Sequence, residues 1–235
     1  MRLHNFFVEE KIADQKTLVT RDRDLIHQWR DVLRLNTGSL VVLLDNTGYE
    51  YLSQITSLLP YEARLAINKT RRNRNLPARI VHIYQSLIKK DKLEWVFGKG
   101  TELGVSHFHP VIASRSIKTR LDMKRARSTV KEAAEQSGRG ILPSVNETLP
   151  LEAALVEISF SVYALHGGGP PFDANMFRGQ GAPGAVGFLI GPEGGWTDQE
   201  LKLFRERGVQ IFSLGSLTFR SETAAIAVAA LVLLG

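Results

Sequence analysis

Residues 186–201 read Val186-Gly187-Phe188-Leu189-Ile190-Gly191-Pro192-Glu193-Gly194-Gly195-Trp196-Thr197-Asp198-Gln199-Glu200-Leu201. The first five form a short apolar run of β type. Thr197-Asp198-Gln199-Glu200 is a capping box, and Leu201, Leu203 and Phe204 after it start a helix. A strand that passes through a glycine-rich loop into a capped helix is a β-α unit. The loop has neither the GxGxxG spacing of a dinucleotide site nor the GxxxxGK[ST] spacing of a P-loop. It is therefore neither of the standard nucleotide cradles.

The same alternation extends outward from this stretch. Residues 79–84, 108–113, 160–165 and 209–214 read as strands. Leu93, Val96, Phe97, Gly100 and Leu103 mark one helix face, and Met123, Ala126, Val130, Ala133 and Ser137 mark another. Residues 221–233 form a long, Ala-rich apolar helix. Alternating strands and helices predict an α/β fold with a parallel sheet covered on both faces.

Residues 1 to about 70 differ. Short β-type runs at 6–8, 17–19, 40–44, 49–58 and 63–67 are interrupted by one helix, with Leu25, Ile26, Trp29, Val32 and Leu33 on its apolar face. Asp45-Asn46-Thr47-Gly48 supplies turn chemistry for a hairpin. These elements predict a small, mostly antiparallel β-barrel. Residues 69–77 are polar, basic and end in Pro77, which makes them the candidate linker. The same arginines could instead follow a nucleic-acid backbone. The boundary is placed between a domain at 1–72 and a second at 73–235.

Composition narrows the chemistry. The 235 residues are 43% hydrophobic, enough for a core, and carry 30 Lys and Arg against 24 Asp and Glu, a net charge of +6. That excess suits an anionic partner such as RNA without requiring one. The absence of cysteine excludes disulfides, thiolate zinc sites and Cys nucleophiles. The six histidines are scattered, and His107 and His109 have no carboxylate cluster beside them, so no metal site is expected. The N-terminus shows no apolar signal segment, and the apolar run at 224–234 is shorter than the ~20 residues of a membrane helix. A soluble cytoplasmic protein with no membrane partner is expected.

Ligands of open parallel sheets bind beyond the carboxyl ends of the strands. Three loops follow strands: Leu165-His166-Gly167-Gly168-Gly169-Pro170, Ile190 through Trp196, and Leu214 through Thr223. Glycine lets a backbone approach a ligand closely. The plain alternative is a set of tight turns, with Arg220 and Glu222 as the charged start of a helix, where Glu222 favours the dipole.

At these loops the sequence resembles the small-subunit ribosomal RNA methyltransferase E family, within the SPOUT (α/β-knot) methyltransferases. The matching stretches are Lys99-Gly100-Thr101-Glu102-Leu103-Gly104-Val105, Glu132-Ala133-Ala134-Glu135-Gln136-Ser137-Gly138-Arg139, Ile190 to Gly195, and Leu214-Gly215 through Arg220-Ser221-Glu222-Thr223-Ala224-Ala225. His27 with Val32-Leu33-Arg34-Leu35 matches the N-terminal domain. Gly100 stands where the family usually has Ala, at an expected cost of roughly 0.5–1 kcal/mol. Ser221 stands where it usually has Thr, and keeps a hydroxyl for capping. His4-Asn5-Phe6-Phe7 replaces the family's basic or Pro-containing entry.

The resemblance implies a PUA-like β-barrel that binds RNA, followed by a Rossmann-like SPOUT methyltransferase domain with a deep trefoil knot. It also implies a homodimer, S-adenosylmethionine as cofactor, and methylation of N3 of uridine 1498 in the 16S rRNA of the small ribosomal subunit. Leu165, His166, Gly167, Ile190, Gly191, Pro192, Glu193, Gly194, Leu214, Gly215, Ser216, Leu217, Thr218 and Thr223 are then the cofactor residues. Arg220 would stabilise the uracil anion, and Glu193 or Glu222 would take the proton. Arg2, Arg21, Arg23, Arg30, Arg34, Arg71, Arg72, Arg74, Lys99 and Arg115 are candidate phosphate contacts, with Lys118 and Arg120 beside them. Two alternatives stay open: a SPOUT enzyme acting on tRNA or a ribose 2′-oxygen, and a non-catalytic RNA-binding protein.

Overall fold

The computed structural model describes residues 3–77, 79–178 and 183–234, so Arg2 lies outside the described residues. The chain divides into two compact units. One comprises Met1–Leu76 with Ala134–Leu142, the other Pro77–Ala133 with Pro143–Gly235.

The first unit is built on strands β1 (Asn5–Phe7), β2 (Thr17–Thr20), β3 (Leu40–Leu44), β4 (Tyr49–Leu58) and β5 (Ala63–Arg72), with helix α1 (Arg23–His27) between β2 and β3. The sheet order is β1-β3-β4-β5-β2, antiparallel except for the β1–β3 pair. Register shifts at Leu52/Ser53 and Ile55/Ser57 bend β4, because a bulge increases local twist. The sheet curls around Phe6, Leu18, Leu43, Tyr51 and Leu65, with Leu25, Ile26 and Trp29 from the helical segment closing that core. The β3–β4 hairpin turns where expected, with Asn46 at φ 61° and Asp45 accepting from Thr47 N at 3.3 Å.

Three details depart from the sequence reading. After α1 the helix widens to a π turn at Gln28–Val32, where Leu33 N donates to Gln28 O. The wider turn rotates Val32 off the apolar face, leaving it 63% exposed. Lys69 to Arg72, placed in the linker, extend β5 against β4, with Tyr49 opposite Arg72. Residues 134–139 of the Glu132–Arg139 stretch count with the first unit, where Ala134 packs with Phe7, Val42 and Leu44, Asn5 Nδ2 donates to Glu135 O at 2.8 Å and Phe7 N to Glu135 Oε1 at 2.9 Å.

The second unit holds β6 (Ile80–Ser86), α2 (Lys90–Leu103), β7 (His107–Ile112), α3 (Met123–Ser137), whose last turn counts with the first unit, β8 (Ser144–Val145), β9 (Leu149–Pro150), α4 (Leu151–Glu157), β10 (Val162–Leu165), β11 (Ala185–Ile190), α5 (Asp198–Glu206), β12 (Gln210–Phe212) and α6 (Ser221–Leu233). All pairs are parallel, in the order β12-β10-β11-β6-β7-β8, with β9 beside β7. Val81, Ile83 and Phe188 face residues of α2, α3 and α6 such as Phe97, Val130 and Val228. Tyr84, Val111 and Leu189 face residues of α4 and α5 such as Leu155 and Phe204. Strands buried on both faces read as continuous apolar runs, which is why this half was legible.

The register aligns the strand ends: Gln85 lies opposite Ile190, and Leu165 opposite Phe212. After β6 the chain crosses to β7 on one side, and after β11 to β12 on the other. The β6–β11 neighbours thus form a topological switch point, where a crevice opens at the carboxyl ends.

One polar cluster lies within the sheet. His82 Nδ1 and His109 Nε2 are 2.9 Å apart, and Asn146 Nδ2 is 2.8 Å from His109 Nδ1. Burial, with neighbouring histidines, pushes His82 down to about 3 and His109 down to about 4. Among the described residues no group of three or more His, Asp or Glu could hold a metal ion, and no helix is long and apolar enough to cross a membrane.

Candidate active site

The crevice holds a cavity of about 850 Å³, within the size range of small-molecule sites. Its walls come from the chain after β6 (Lys89, Lys92), the end of β10 (Leu165, His166, Gly167), the loop after β11 (Ile190 to Trp196) and the start of α6 (Thr218 to Glu222, with Ala224); Ile117 also lines it.

Local chemistry fixes each wall. Trp196 Nε1 donates to Leu165 O at 3.0 Å and pins the β10 end to the β11 loop. A Cβ on Gly191 would stand 3.2 Å from the Trp196 ring, and a Cβ on Gly194 would stand 3.2 Å from the Arg115 side chain. Both glycines are therefore closely approached by side chains, and Gly195, at φ 68°, is the position in this loop where the backbone itself favours glycine. The capping box at Thr197 and Glu200 forms as read. Glu200 Oε1 also accepts from Ser114 N at 2.8 Å, and Arg115 Nη1 donates to Gly194 O at 2.7 Å. The 114–115 segment is thus tied to the loop at Gly194 and to the first turn of α5 at Glu200.

The start of α6 is held from below. Ser221 Oγ donates to Gly191 O at 2.5 Å and accepts from Gln85 Nε2 at 2.8 Å. Ser221 is not a cap, contrary to the sequence expectation, because Arg220 occupies the N-cap position with no side-chain bond. Its hydroxyl instead bridges strand β6 to the β11 loop. Gln85 and Ser86 are fully buried, and Gln85 Oε1 and Ser86 Oγ have no partner among the described residues. Such orphaned groups in a native fold call for a specific reason.

The cavity's charged side chains are Lys89, Lys92, Arg220, Glu193 and Glu222. Glu222 is 7% exposed and pairs with Lys92 Nζ at 3.4 Å. Glu193 and Arg220 are exposed. The N-terminus of α6 adds a partial positive charge to the same region.

Of the residues expected to meet a cofactor, Leu165, His166, Gly167, Ile190, Gly191, Pro192, Glu193, Gly194 and Thr218 line the cavity together with Arg220 and Glu222. Leu214, Gly215, Ser216, Leu217 and Thr223 do not. Leu214 packs against the core, Gly215 O accepts from Ser213 Oγ at 2.9 Å, and Leu217 is 75% exposed. Thr223 turns outward on the first turn of α6 and Ala224 faces the cavity. The sequence missed Lys89, Lys92 and Ile117. A lysine in the first turn of a helix carries no signal that separates it from a surface charge.

The candidate RNA contacts divide. Arg21 pairs with Glu62, Arg30 with Asp31, Arg71 with Glu50 and Lys99 with Glu102. Arg23 lies 5.6 Å over the Tyr61 ring, and Arg115 supports the β11 loop. Arg34, with φ 52°, is exposed. Arg72, Arg74, Lys118 and Arg120 are exposed and form no ion pair among the described residues.

Comparison with known proteins gives this site its context. An RNA methyltransferase domain model matches residues 74–233. The ribosomal RNA small subunit methyltransferase E of Bacillus subtilis (strain 168) is 31% identical, over 94% of this chain and 93% of that protein. The chain belongs to the ribosomal RNA small subunit methyltransferase E family. A second member, from Rickettsia conorii, is 25% identical over 100% of this chain and 97% of its own. The crystal structure of the member from Neisseria gonorrhoeae bound to S-adenosyl methionine superposes with a TM-score of 0.85 and 27% identity, covering 97% of this chain and 96% of that one. The family's methyltransferase domain model spans both the β11 loop and the start of α6.

Proposed function

We propose that this chain transfers a methyl group from S-adenosylmethionine to N3 of a uridine in 16S rRNA of the small ribosomal subunit, the position equivalent to uridine 1498. The observation that carries the reading is the cavity at the β6–β11 switch point. It brings a glycine-lined backbone wall together with Arg220 and Glu222. The residues fit the cofactor. Backbone groups at Leu165 to Gly167 and at Ile190 to Gly194 suit an adenosine, and the exposed carboxylate of Glu193 suits a cationic ligand. The names of the B. subtilis and N. gonorrhoeae relatives, and the S-adenosyl methionine bound to the latter, favour the same reading.

The bound cofactor supplies an electrophilic methyl on a sulfonium, so the protein's task is to orient N3 and free its electron pair. Uridine N3 carries a proton at neutral pH and is a poor nucleophile in that form. Glu193 or Glu222 accepts that proton, and Arg220 donates hydrogen bonds to the oxygen where negative charge develops. Positioning and fixed charge carry most of the catalysis. Residues 1–72 serve as the RNA-binding domain and 73–235 as the methyltransferase domain, with Arg34, Arg72, Arg74, Lys118 and Arg120 on phosphates. The active form is a homodimer that works in the cytoplasm.

The test is methyl transfer from labelled S-adenosylmethionine to small subunits lacking the modification, to deproteinised rRNA and to total tRNA. The product nucleoside is identified by mass spectrometry. The expected product is 3-methyluridine in small-subunit rRNA. Methylation confined to tRNA or to a ribose oxygen overturns the target. Arg220→Ala should retain cofactor binding and lose the rate; a wild-type rate removes Arg220 from the mechanism.

A further inference from the structure

Glu222 is 7% exposed in the first turn of α6. A buried carboxylate needs a partner, because desolvating an unpaired charge is costly. Its partner is Lys92, from the first turn of α2, with Nζ 3.4 Å from Oε1. The pair is asymmetric: the glutamate side chain is 9% exposed and the lysine side chain 38%. Both line the cavity. At 3.4 Å the contact is longer than the ~2.7–2.9 Å of a tight charge-assisted hydrogen bond. The lysine, the more exposed of the two side chains, thus reaches the cavity as well as Glu222. Glu193, the other candidate, is exposed and forms no ion pair among the described residues.

We infer that Glu222 is the proton acceptor and that Lys92 is the cation beside it, which holds the carboxylate in place and then faces the uracil anion. The inference rests on the uridine-N3 reading above and extends it to a residue outside the family motifs quoted earlier. The charge balance explains why a pair serves better than a lone carboxylate. The N3–H bond breaks, the proton goes to Glu222 Oε1, and the electron pair stays on the ring, spread over N3 and its flanking carbonyl oxygens. Lys92 faces one negative charge before the step, on Glu222, and one after it, on the uracil. No net charge is created near the ammonium. When N3 has accepted the methyl group the ring is neutral, and Glu222 releases its proton to solvent, restoring the pair. One methyl enters the substrate and one proton leaves.

A purely structural role, in which the pair only ties α2 to α6, predicts something else. Lys92→Ala would then lower the melting temperature, and added small cations would not restore activity. The experiment measures kcat, cofactor Kd and melting temperature for the wild type, Lys92→Ala, Lys92→Arg and Glu222→Gln, with small subunits as substrate and the product identified. General-base and charge-stabilising groups are worth on the order of 100-fold or more. Lys92→Ala and Glu222→Gln should therefore each lose about 100-fold in kcat. Lys92→Ala should keep cofactor affinity, regain rate with added methylammonium or ethylammonium, and be rescued in part by Lys92→Arg. Wild-type kcat in Lys92→Ala overturns the inference, as does a loss of rate that tracks melting temperature and is not recovered by amines. If Lys92→Ala does not fold, Lys92→Arg with the cofactor affinity of the wild type but no measurable rate likewise overturns it, since a second cation should serve. A wild-type product other than 3-methyluridine overturns the underlying reading itself, which is a different result from a failure at Lys92.

Discussion

Gly100 offers a sharp test of packing in the methyltransferase unit. It lies in α2, where the resembled family usually has Ala. Helix propensity alone says that Gly100→Ala should stabilise the helix by up to about 1 kcal/mol. The structure reverses the sign. A Cβ at position 100 would stand 2.8 Å from both Cε1 and Cζ of Phe108, and 3.4 Å from Val105 Cγ2. Phe108 is 0% exposed and sits edge-on to Phe97, with centroids 5.2 Å apart. The ring has no solvent side into which to move. Overpacking of a filled core costs about 1–3 kcal/mol. Set against the propensity gain, the net loss is about 1 kcal/mol, which is a fall of about 2–4 °C in a domain of this size. Thermal unfolding followed by circular dichroism should show that fall. In a Phe108→Leu background, where the ring edge is gone, the same Gly100→Ala change should raise the melting temperature. A rise in the wild-type background would refute the packing argument and leave Gly100 as a plain cost in propensity.

Other outcomes follow from the same structure. Ser221→Ala removes a hydroxyl that serves both Gly191 O and Gln85 Nε2, and a buried group left unpaired costs about 1–3 kcal/mol. Calorimetry should find weaker cofactor binding, with Ser221→Thr close to wild type; unchanged affinity in the alanine variant would rule out the bridge as a support of the loop. Arg115→Ala should weaken cofactor binding and leave the salt dependence of RNA affinity unchanged, whereas Arg72→Ala or Arg74→Ala should reduce the salt slope by about one. The reverse pattern would return Arg115 to the RNA surface. His82 and His109 have folded pKa values near 3 and 4, below the ordinary value of 6.5. The unfolded chain therefore binds protons first as pH falls. Stability is full above about pH 6.5 and is lost as pH falls toward the folded values, by up to about 1.4 kcal/mol per pH unit for each proton that the unfolded chain binds in excess. Melting temperatures that agree at pH 7.5 and pH 5 would contradict this.

Where a local signal and a long-range constraint agree, the sequence was readable. The Thr197 capping box, the turn at Asp45 to Gly48 and the bounds of α6 follow from side-chain chemistry within a few residues. The strands of the parallel sheet follow from burial on both faces. What escaped depends on distant partners. Lys69 to Arg72 are strand because β4 lies alongside, and four polar residues in a row carry no alternation that could say so. The two-residue strands β8 and β9 and the short α4 are too brief for periodicity to register. Val32 fits an α-helical face, and the π turn at Gln28 moves it away.

The candidate site divides in the same way. Glycines that follow a strand are visible as composition, so the β10 and β11 loops that line the cavity could be singled out. Leu214 to Leu217 belong to the same apparent loop, yet the cavity is lined only from Thr218 onward, while Ser213 Oγ bonds Gly215 O. Lys92 was invisible because its meaning comes from Glu222, 130 positions along the chain and 3.4 Å away.

The most direct measurement is a crystal structure of the protein with S-adenosylhomocysteine, the stable product of the cofactor. Density is expected in the cavity between the ends of β10 and β11 and the start of α6, with the adenosine against Leu165 to Gly167 and Ile190 to Gly194. Density elsewhere, or no binding at saturating ligand, would contradict it.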